Sequence, residues 1–103
     1  IARIRGDVTV TLTVSGNATL IVSSNAEVST DGTGTKETLN NGDIKYIGYG
    51  SATVSGTGIR VEIHGDNIEL TAEGTGSAVL LGKGTYHSEK GFATSGEWRE
   101  KGD

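Results

Sequence analysis

Cysteine and methionine are both absent from this 103-residue chain. The lack of cysteine excludes a disulfide framework, a thiol nucleophile and a thiolate metal site, but it does not fix the cellular compartment. Because the sequence opens at Ile1, we interpret it either as a mature chain that has lost a signal peptide or as an excised piece of a longer protein.

Aromatic residues and long apolar runs are also scarce. Aromatics make up 5% of the chain and hydrophobic residues 33%, and no stretch approaches the ~18–20 apolar residues of a membrane span. The formal net charge is −4, with charges of both signs interspersed, so the chain lacks the basic stripe that a nucleic acid requires. We therefore expect no membrane insertion and no nucleic-acid partner.

What the sequence does contain is regularly spaced glycine and alternating apolar and polar residues. In the second half glycines recur every eight or nine residues, at positions 56, 65, 74, 82 and 91. Over residues 7–14, alternation places Val8, Val10, Leu12 and Val14 on one face. A period of two is typical of β-strands with one buried face, and glycine supplies the positive φ that tight turns need. The pattern predicts an all-β fold, without helices of useful length, in a single domain spanning residues 1–103.

The glycine spacing predicts short strands joined by tight turns. If residues 65–66 form a hairpin loop, the apolar residues of the two flanking strands share one face. Extending the alternation across a second turn at residues 74–75 directs Ala78 and Leu80 outward, and residues 31–35 are predicted to form a loop. We predict an antiparallel meander closed as a sandwich or barrel, with a β-solenoid of parallel rungs as the alternative.

Few residues point to catalysis or metal binding. The predicted hairpin places Glu62 opposite Glu69 on the outer face, where two carboxylates could bind an ion, although a cation such as Arg60 is the simpler partner. His64, beside Asp66, lacks the strand–turn–helix context in which a histidine and an aspartate activate a serine. We predict no catalytic residue, no metal site, no cofactor and no enzymatic activity.

Two sets of residues are candidates for binding. The N-terminal strand could pair with the sheet edge of a neighbouring subunit, and apolar residues that face outward would extend this contact. The predicted assembly contacts are Ile1, Ile4, Val8, Ala78 and Leu80. The second set is a platform of aromatic rings on which sugars could stack, formed by Tyr46, Tyr49 and Trp98.

Four glycine- and threonine-rich segments occupy the C-terminal half: YGSATVSGTGIRVEI at 49–63, IELTAEGTG at 68–76, GKGTY at 82–86 and GEW at 96–98. This half resembles the Gly/Thr-rich β-modules of uncharacterised bacterial secreted or cell-surface proteins, many of them actinobacterial. The first strand agrees with these modules in style only. The resemblance implies export and an all-β fold, and it supplies no catalytic residues.

These observations favour a non-enzymatic extracellular structural module. Such a module would be a self-assembling subunit of a surface layer or filament, joined to its neighbours by strand pairing. The alternative is a glycan-binding or adhesion module at the cell surface that uses the exposed aromatics. The first hypothesis predicts large or filamentous particles in solution, and the second predicts binding to a cell-surface glycan.

Overall fold

β-Strands account for all the regular secondary structure that the computed structural model describes, which covers residues 1–65, 68–82, 84–88, 92–96 and 99–100. This confirms the all-β prediction. The strands are β1 (Ala2–Val22), β2 (Glu27–Thr38), β3 (Ile44–His64), β4 (Ile68–Leu80), β5 (Gly84–Ser88), β6 (Phe92–Gly96) and β7 (Arg99–Glu100).

The seven strands of the described ranges form one mixed sheet in the order β2-β3-β1-β4-β5-β7, and β6 also pairs with β4. β1 runs antiparallel to β3 on one side and to β4 on the other, and β2 runs antiparallel to β3. β5 and β6 run parallel to β4, and β7 runs parallel to β5. A meander would place β1 beside β2, so the strand order differs from that prediction, and the sheet is not closed into a barrel.

The sheet is instead wound into a coil, as its pairings demonstrate. Val22, at the end of β1, pairs with Val61 on one side and with Ile44 on the other, two positions of β3 that are seventeen residues apart. β5 and β6 lie beside β4 at a constant offset of sixteen residues. The chain therefore lies directly beside β4 again after sixteen residues, whereas the two β3 positions seventeen residues apart lie on either side of β1. The parallel neighbours of β4 agree with the alternative prediction, a β-solenoid of parallel rungs, but β1 pairs antiparallel with β3 and β4, and β2 with β3, so neither predicted architecture describes the whole sheet.

The interior of the coil holds the hydrophobic core. Val8, Val10, Leu12 and Val14 are buried, as the alternation predicted. Inward-facing residues of neighbouring strands stack in ladders across the sheet, and one ladder runs in order through Leu80, Ala2, Ile63, Leu20, Tyr46 and Lys36. Within the ladder, apolar side chains shield one another from water. The ladder ends at the charged Lys36, because its strand, β2, has a paired strand on one side only.

Several glycines mark bends inside the strands. Gly6 lies within β1 at a φ of 131° and pairs with Gly76 of β4. A Cβ on Gly6 would lie 2.7 Å from the Cα of Gly76, well inside van der Waals contact, so the two strands approach closely only because both residues lack a side chain. The glycines recur every eight or nine residues, which is about half of the sixteen-residue offset between β4 and its parallel neighbours.

Both predicted hairpins are wrong. β3 and β4 do not pair with each other, because β1 lies between them and pairs with both. A shared apolar face did not identify the partner, since every strand with the same period can present such a face to any other. Residues 31–35, predicted to form a loop, continue β2, because Gly32 and Gly34 lie opposite Gly50 and Gly48 of β3 and the ladder stays intact.

Residues 74–75 do not form a turn, so the side chains that follow them point to the opposite face from the one predicted. β4 continues through these residues, so the alternation of its side chains is not reset. Ala78 and Leu80 are 3% and 1% exposed, whereas Val79 is 41% exposed. The prediction that Ala78 and Leu80 face outward is therefore wrong, because the predicted turn shifted the alternation of inward and outward side chains by one residue.

A buried serine fixes the chain where β1 ends. The Ser23 hydroxyl accepts a hydrogen bond of 2.9 Å from the backbone N–H of Arg60, and the Ser23 N–H donates a bond of the same length to the Arg60 carbonyl. Ser23 is the one buried polar residue of the described ranges. These bonds extend the contact between β1 and β3 by one residue and leave the serine hydroxyl with a partner.

Candidate functional site

Four of the five predicted assembly contacts belong to the chain's own core. Ile4, Val8, Ala78 and Leu80 are buried against other residues of the coil. Ile1 is 38% exposed, and its backbone continues the ladder between β1 and β4 through hydrogen bonds of 2.6 and 2.7 Å to Leu81. Because β1 has a paired strand on both sides, the prediction that it supplies a free edge for a neighbouring subunit is wrong.

The two carboxylates predicted to face each other are separated by a strand. Glu62 lies on β3 and Glu69 on β4, with β1 between them. The Oε1 atom of Glu62 lies 3.5 Å from Nε of Arg3 and 2.8 Å from Nε2 of His64, so the cation beside this carboxylate is Arg3 and not Arg60. In the described ranges no three His, Cys, Asp or Glu side chains converge as a set of metal ligands.

A cavity of about 240 Å³ lies at the end of the coil that β2 forms. Its apolar wall comes from core residues, among them Leu12, Leu20 and Ile63. The cavity exists because the ladders end here: β2 contributes Thr30 and Lys36, which are polar and exposed, where inner strands contribute buried aliphatic side chains. Its volume equals the space of roughly eight water molecules, somewhat below the range of drug-sized pockets. A ligand held here would be small.

The structure brings two of the three predicted platform aromatics to this cavity. Tyr46 and Tyr49 both line it. Tyr46 is half-buried against the core, and the Nζ atom of Lys36 lies 5.8 Å from its ring centroid, within the range of a cation–π contact. Tyr49 is 53% exposed. Trp98, the third member of the platform, lies outside the described residues.

Sequence reasoning missed both the edge strand and the lysine. The segment 31–35 contains two glycines and an aspartate, which are typical of loops, so the sequence pattern does not place Lys36 in a strand. A usable signal was present in the Gly-x-Gly pattern at 32–34, because, besides 82–84, the same pattern occurs in three segments, at 48–50, 56–58 and 74–76. Those three segments lie inside β3 and β4. Read as a strand bend, the pattern would have extended β2 through the predicted loop.

No protein-family model, curated protein or solved structure matches the chain. Within the part of the chain that the structure describes, no helical segment has the length and hydropathy of a membrane span. The features that bear on function are the fold, the free edge of β2 and the cavity beside it.

Proposed function

We propose that this protein is a non-enzymatic structural module that associates with copies of itself through the β2 end of its coil. The observation that carries the proposal is the edge of β2. This strand is twelve residues long, pairs with β3 without a register shift, and has no second partner among the described residues. A long, regular, unpaired edge presents a row of backbone donors and acceptors to which another strand can pair.

The cavity supports the same interpretation. Coiled and repeat folds normally end in a cap with a polar outer face, because their interior is apolar along the whole axis. At the β2 end, core residues such as Leu12, Leu20 and Ile63 instead line a cavity whose remaining lining comes from β2 and the adjacent part of β3. A second copy placed against this end would cover the apolar wall and pair the free edge in one step.

An extracellular location and a role in a surface layer or filament are part of the proposal. They are supported by the composition, which is rich in Ser, Thr and Gly, and by the resemblance of the C-terminal half to Gly/Thr-rich bacterial secreted modules. Strand pairing between subunits would join them by backbone hydrogen bonds, without disulfides. β2 replaces β1 as the strand that makes this contact.

The proposal is tested by adding a charge to the free edge. Thr30 is exposed on β2 and lines the cavity together with Lys36, so a lysine at position 30 would add a second positive charge at this edge and oppose the addition of a strand. Thr11 is also exposed, but it lies on β1 between Thr53 and Thr71 of the adjacent strands, so Thr11→Lys makes the same change away from any edge.

Light scattering over a range of concentrations measures the outcome. We expect the wild type and Thr11→Lys to form particles larger than the 10.6 kDa chain, and Thr30→Lys to remain at 10.6 kDa. A wild type that stays at the mass of one chain at every concentration would refute self-association. If both variants lost assembly equally, the loss would come from the added charge itself and not from its position at the edge of β2.

A second candidate function is supported by the aromatic lining of the cavity. Tyr46 and Tyr49 line the cavity together with three polar residues of β2, Thr30, Asp31 and Lys36, and Lys36 lies directly opposite Tyr46. Aromatic faces combined with hydroxyl, carboxylate and ammonium groups are the chemistry that binds a sugar, and the cavity volume suits a single sugar unit better than a long chain.

Glycan binding is tested with a broad glycan panel. Tyr49→Ala should abolish binding without unfolding the protein, because Tyr49 is largely exposed, whereas Val79→Ala, at an exposed site that does not line the cavity, should retain it. A wild-type protein that binds no member of the panel would end this second candidate.

A further inference from the structure

The turn between β2 and β3 places an asparagine directly before a glycine. The Gly42 N–H donates a hydrogen bond of 3.0 Å to the Leu39 carbonyl, and the Leu39 N–H donates one of 2.7 Å to the Asp43 carbonyl. These bonds close a three-residue hairpin loop whose last residue, Gly42, has a positive φ of 92°. Asn41 is exposed, so water reaches its side chain directly.

Hydrogen bonds hold the Asn41 carboxamide against the residue that follows the glycine. Its Oδ1 atom accepts a bond of 3.0 Å from the backbone N–H of Asp43, and its Nδ2 atom donates one of 3.2 Å to Oδ2 of the same residue. The bond to Oδ1 polarises the carbonyl and would stabilise the negative charge that forms on Oδ1 when a nucleophile adds to Cγ. The backbone nitrogen of Gly42 is such a nucleophile, and a Cβ on Gly42 would meet nothing within 4 Å, so this glycine is not crowded.

We propose that Asn41 is a modification site at which the chain converts its own asparagine to aspartate and isoaspartate. The Gly42 nitrogen gives up its proton and forms a bond to Cγ of Asn41, and the bond from Cγ to Nδ2 breaks, so that Nδ2 leaves as ammonia. Water then opens the resulting five-membered imide: cleavage of the new bond gives aspartate, and cleavage at the backbone carbonyl of Asn41 gives isoaspartate. The net reaction consumes one water and releases one ammonia, and it does not depend on self-association.

The hairpin bond from Gly42 to Leu39 sets a condition for this reaction. The Gly42 nitrogen can attack only when its N–H no longer donates to the Leu39 carbonyl. This bond lies in a turn beside an exposed side chain, and such turns open locally at a far smaller cost in free energy than global unfolding. We therefore expect the reaction in the native protein, at a lower rate than in the unfolded chain.

The product weakens the turn in which it forms. The Asp43 side chain is 14% exposed, and its Oδ1 atom lies 3.4 Å from Nη2 of Arg60, while its Oδ2 atom accepts the bond from Asn41. A carboxylate at position 41 cannot donate that bond, and it places a second negative charge beside Oδ2, where like charges repel. Isoaspartate also adds a methylene to the main chain of the turn. The modification thereby loosens the connection between β2 and β3, the one strand that pairs with β2 in the described ranges.

Peptide mass spectrometry of the purified protein, incubated in mildly alkaline buffer, tests the site. We expect the peptide that contains Asn41 to gain one dalton and to separate into aspartate and isoaspartate forms. The chain supplies its own controls, because Asn17 and Asn25 are each followed by alanine, whose methyl group hinders attack by the nitrogen. Both should remain unmodified over the same period. Gly42→Ala should prevent the change at Asn41 for the same reason, with circular dichroism confirming that the variant is folded.

Modification of Asn41 in urea but not in the native protein would overturn the proposal, because the folded turn would then protect the site. Equal rates at Asn41, Asn17 and Asn25 would also overturn it.

The effect on the turn is measured with two charge variants. Asn41→Asp should lower the urea midpoint of unfolding, whereas Asn40→Asp, which adds the same charge at the exposed preceding residue, should not. Equal midpoints for the two variants would overturn the inference that the product weakens the turn.

Discussion

Replacing Gly50 by alanine tests the interpretation of the glycines as bends. Gly50 lies in β3 at a φ of 117°, outside the regions that residues with a side chain prefer. A Cβ at this position would lie 2.8 Å from the Cα of Gly32 and would also collide with the carbonyl oxygen of Asp31. Alanine therefore brings backbone strain and, in addition, a contact that pushes β2 away from β3.

The two contributions can be estimated and separated. Backbone strain at an unfavourable φ destabilises by about 1–3 kcal/mol, and overpacking by a similar ~1–3 kcal/mol, so Gly50→Ala should lower the free energy of unfolding by about 2–6 kcal/mol. Gly42 has a φ of 92° but nothing within 4 Å of a Cβ, so Gly42→Ala reports the strain alone. Gly16 has neither feature, and Gly16→Ala should leave stability unchanged or raise it by up to about 1 kcal/mol, because alanine restricts the unfolded chain.

Urea denaturation followed by far-ultraviolet circular dichroism measures the three variants. The expected order of destabilisation is Gly50→Ala, then Gly42→Ala, then Gly16→Ala. Since domains of this size have about 5–15 kcal/mol of stability in total, the difference between the first two should be well resolved. Equal effects of Gly50→Ala and Gly42→Ala would refute the close approach of β2 and β3 at the bend.

Three further predictions concern the core, the end of β1 and the surface. Leu80→Ala should destabilise by about 2–5 kcal/mol and Val79→Ala by under about 0.5 kcal/mol; denaturation showing the reverse order would mean that β4 has the opposite face inward. Ser23→Ala leaves a backbone N–H without its partner and should lower stability by about 1–3 kcal/mol, whereas exposed Ser24→Ala should have little effect in the same assay. Glu62→Gln removes a half-exposed ion pair and should change stability by less than about 1 kcal/mol; an effect that persisted unchanged in 1 M salt would contradict an electrostatic origin.

Part of the candidate site could be predicted from the sequence. The sequence predicts Tyr46 and Tyr49 as members of an aromatic platform, and the structure places both at the cavity. Lys36 was missed, because its importance comes from its position as the last rung of a ladder that otherwise consists of apolar residues from β1, β3 and β4. No local pattern shows where a ladder across distant strands ends. The free edge of β2 was hidden for the same reason.

Alternation and composition by themselves determined that the chain is all-β and which face of residues 7–14 is buried, because side-chain direction in a strand is a local property with a period of two. Only the tertiary structure decided that β1 lies between β3 and β4, that Ala78 and Leu80 point into the core, and that the coil is open at β2. Strand partners are chosen by contacts between segments far apart in sequence, and many registers satisfy the same alternation. A glycine can form part of a turn between two strands or of a bend within one strand. Pairing with the neighbouring strand determines which of the two occurs.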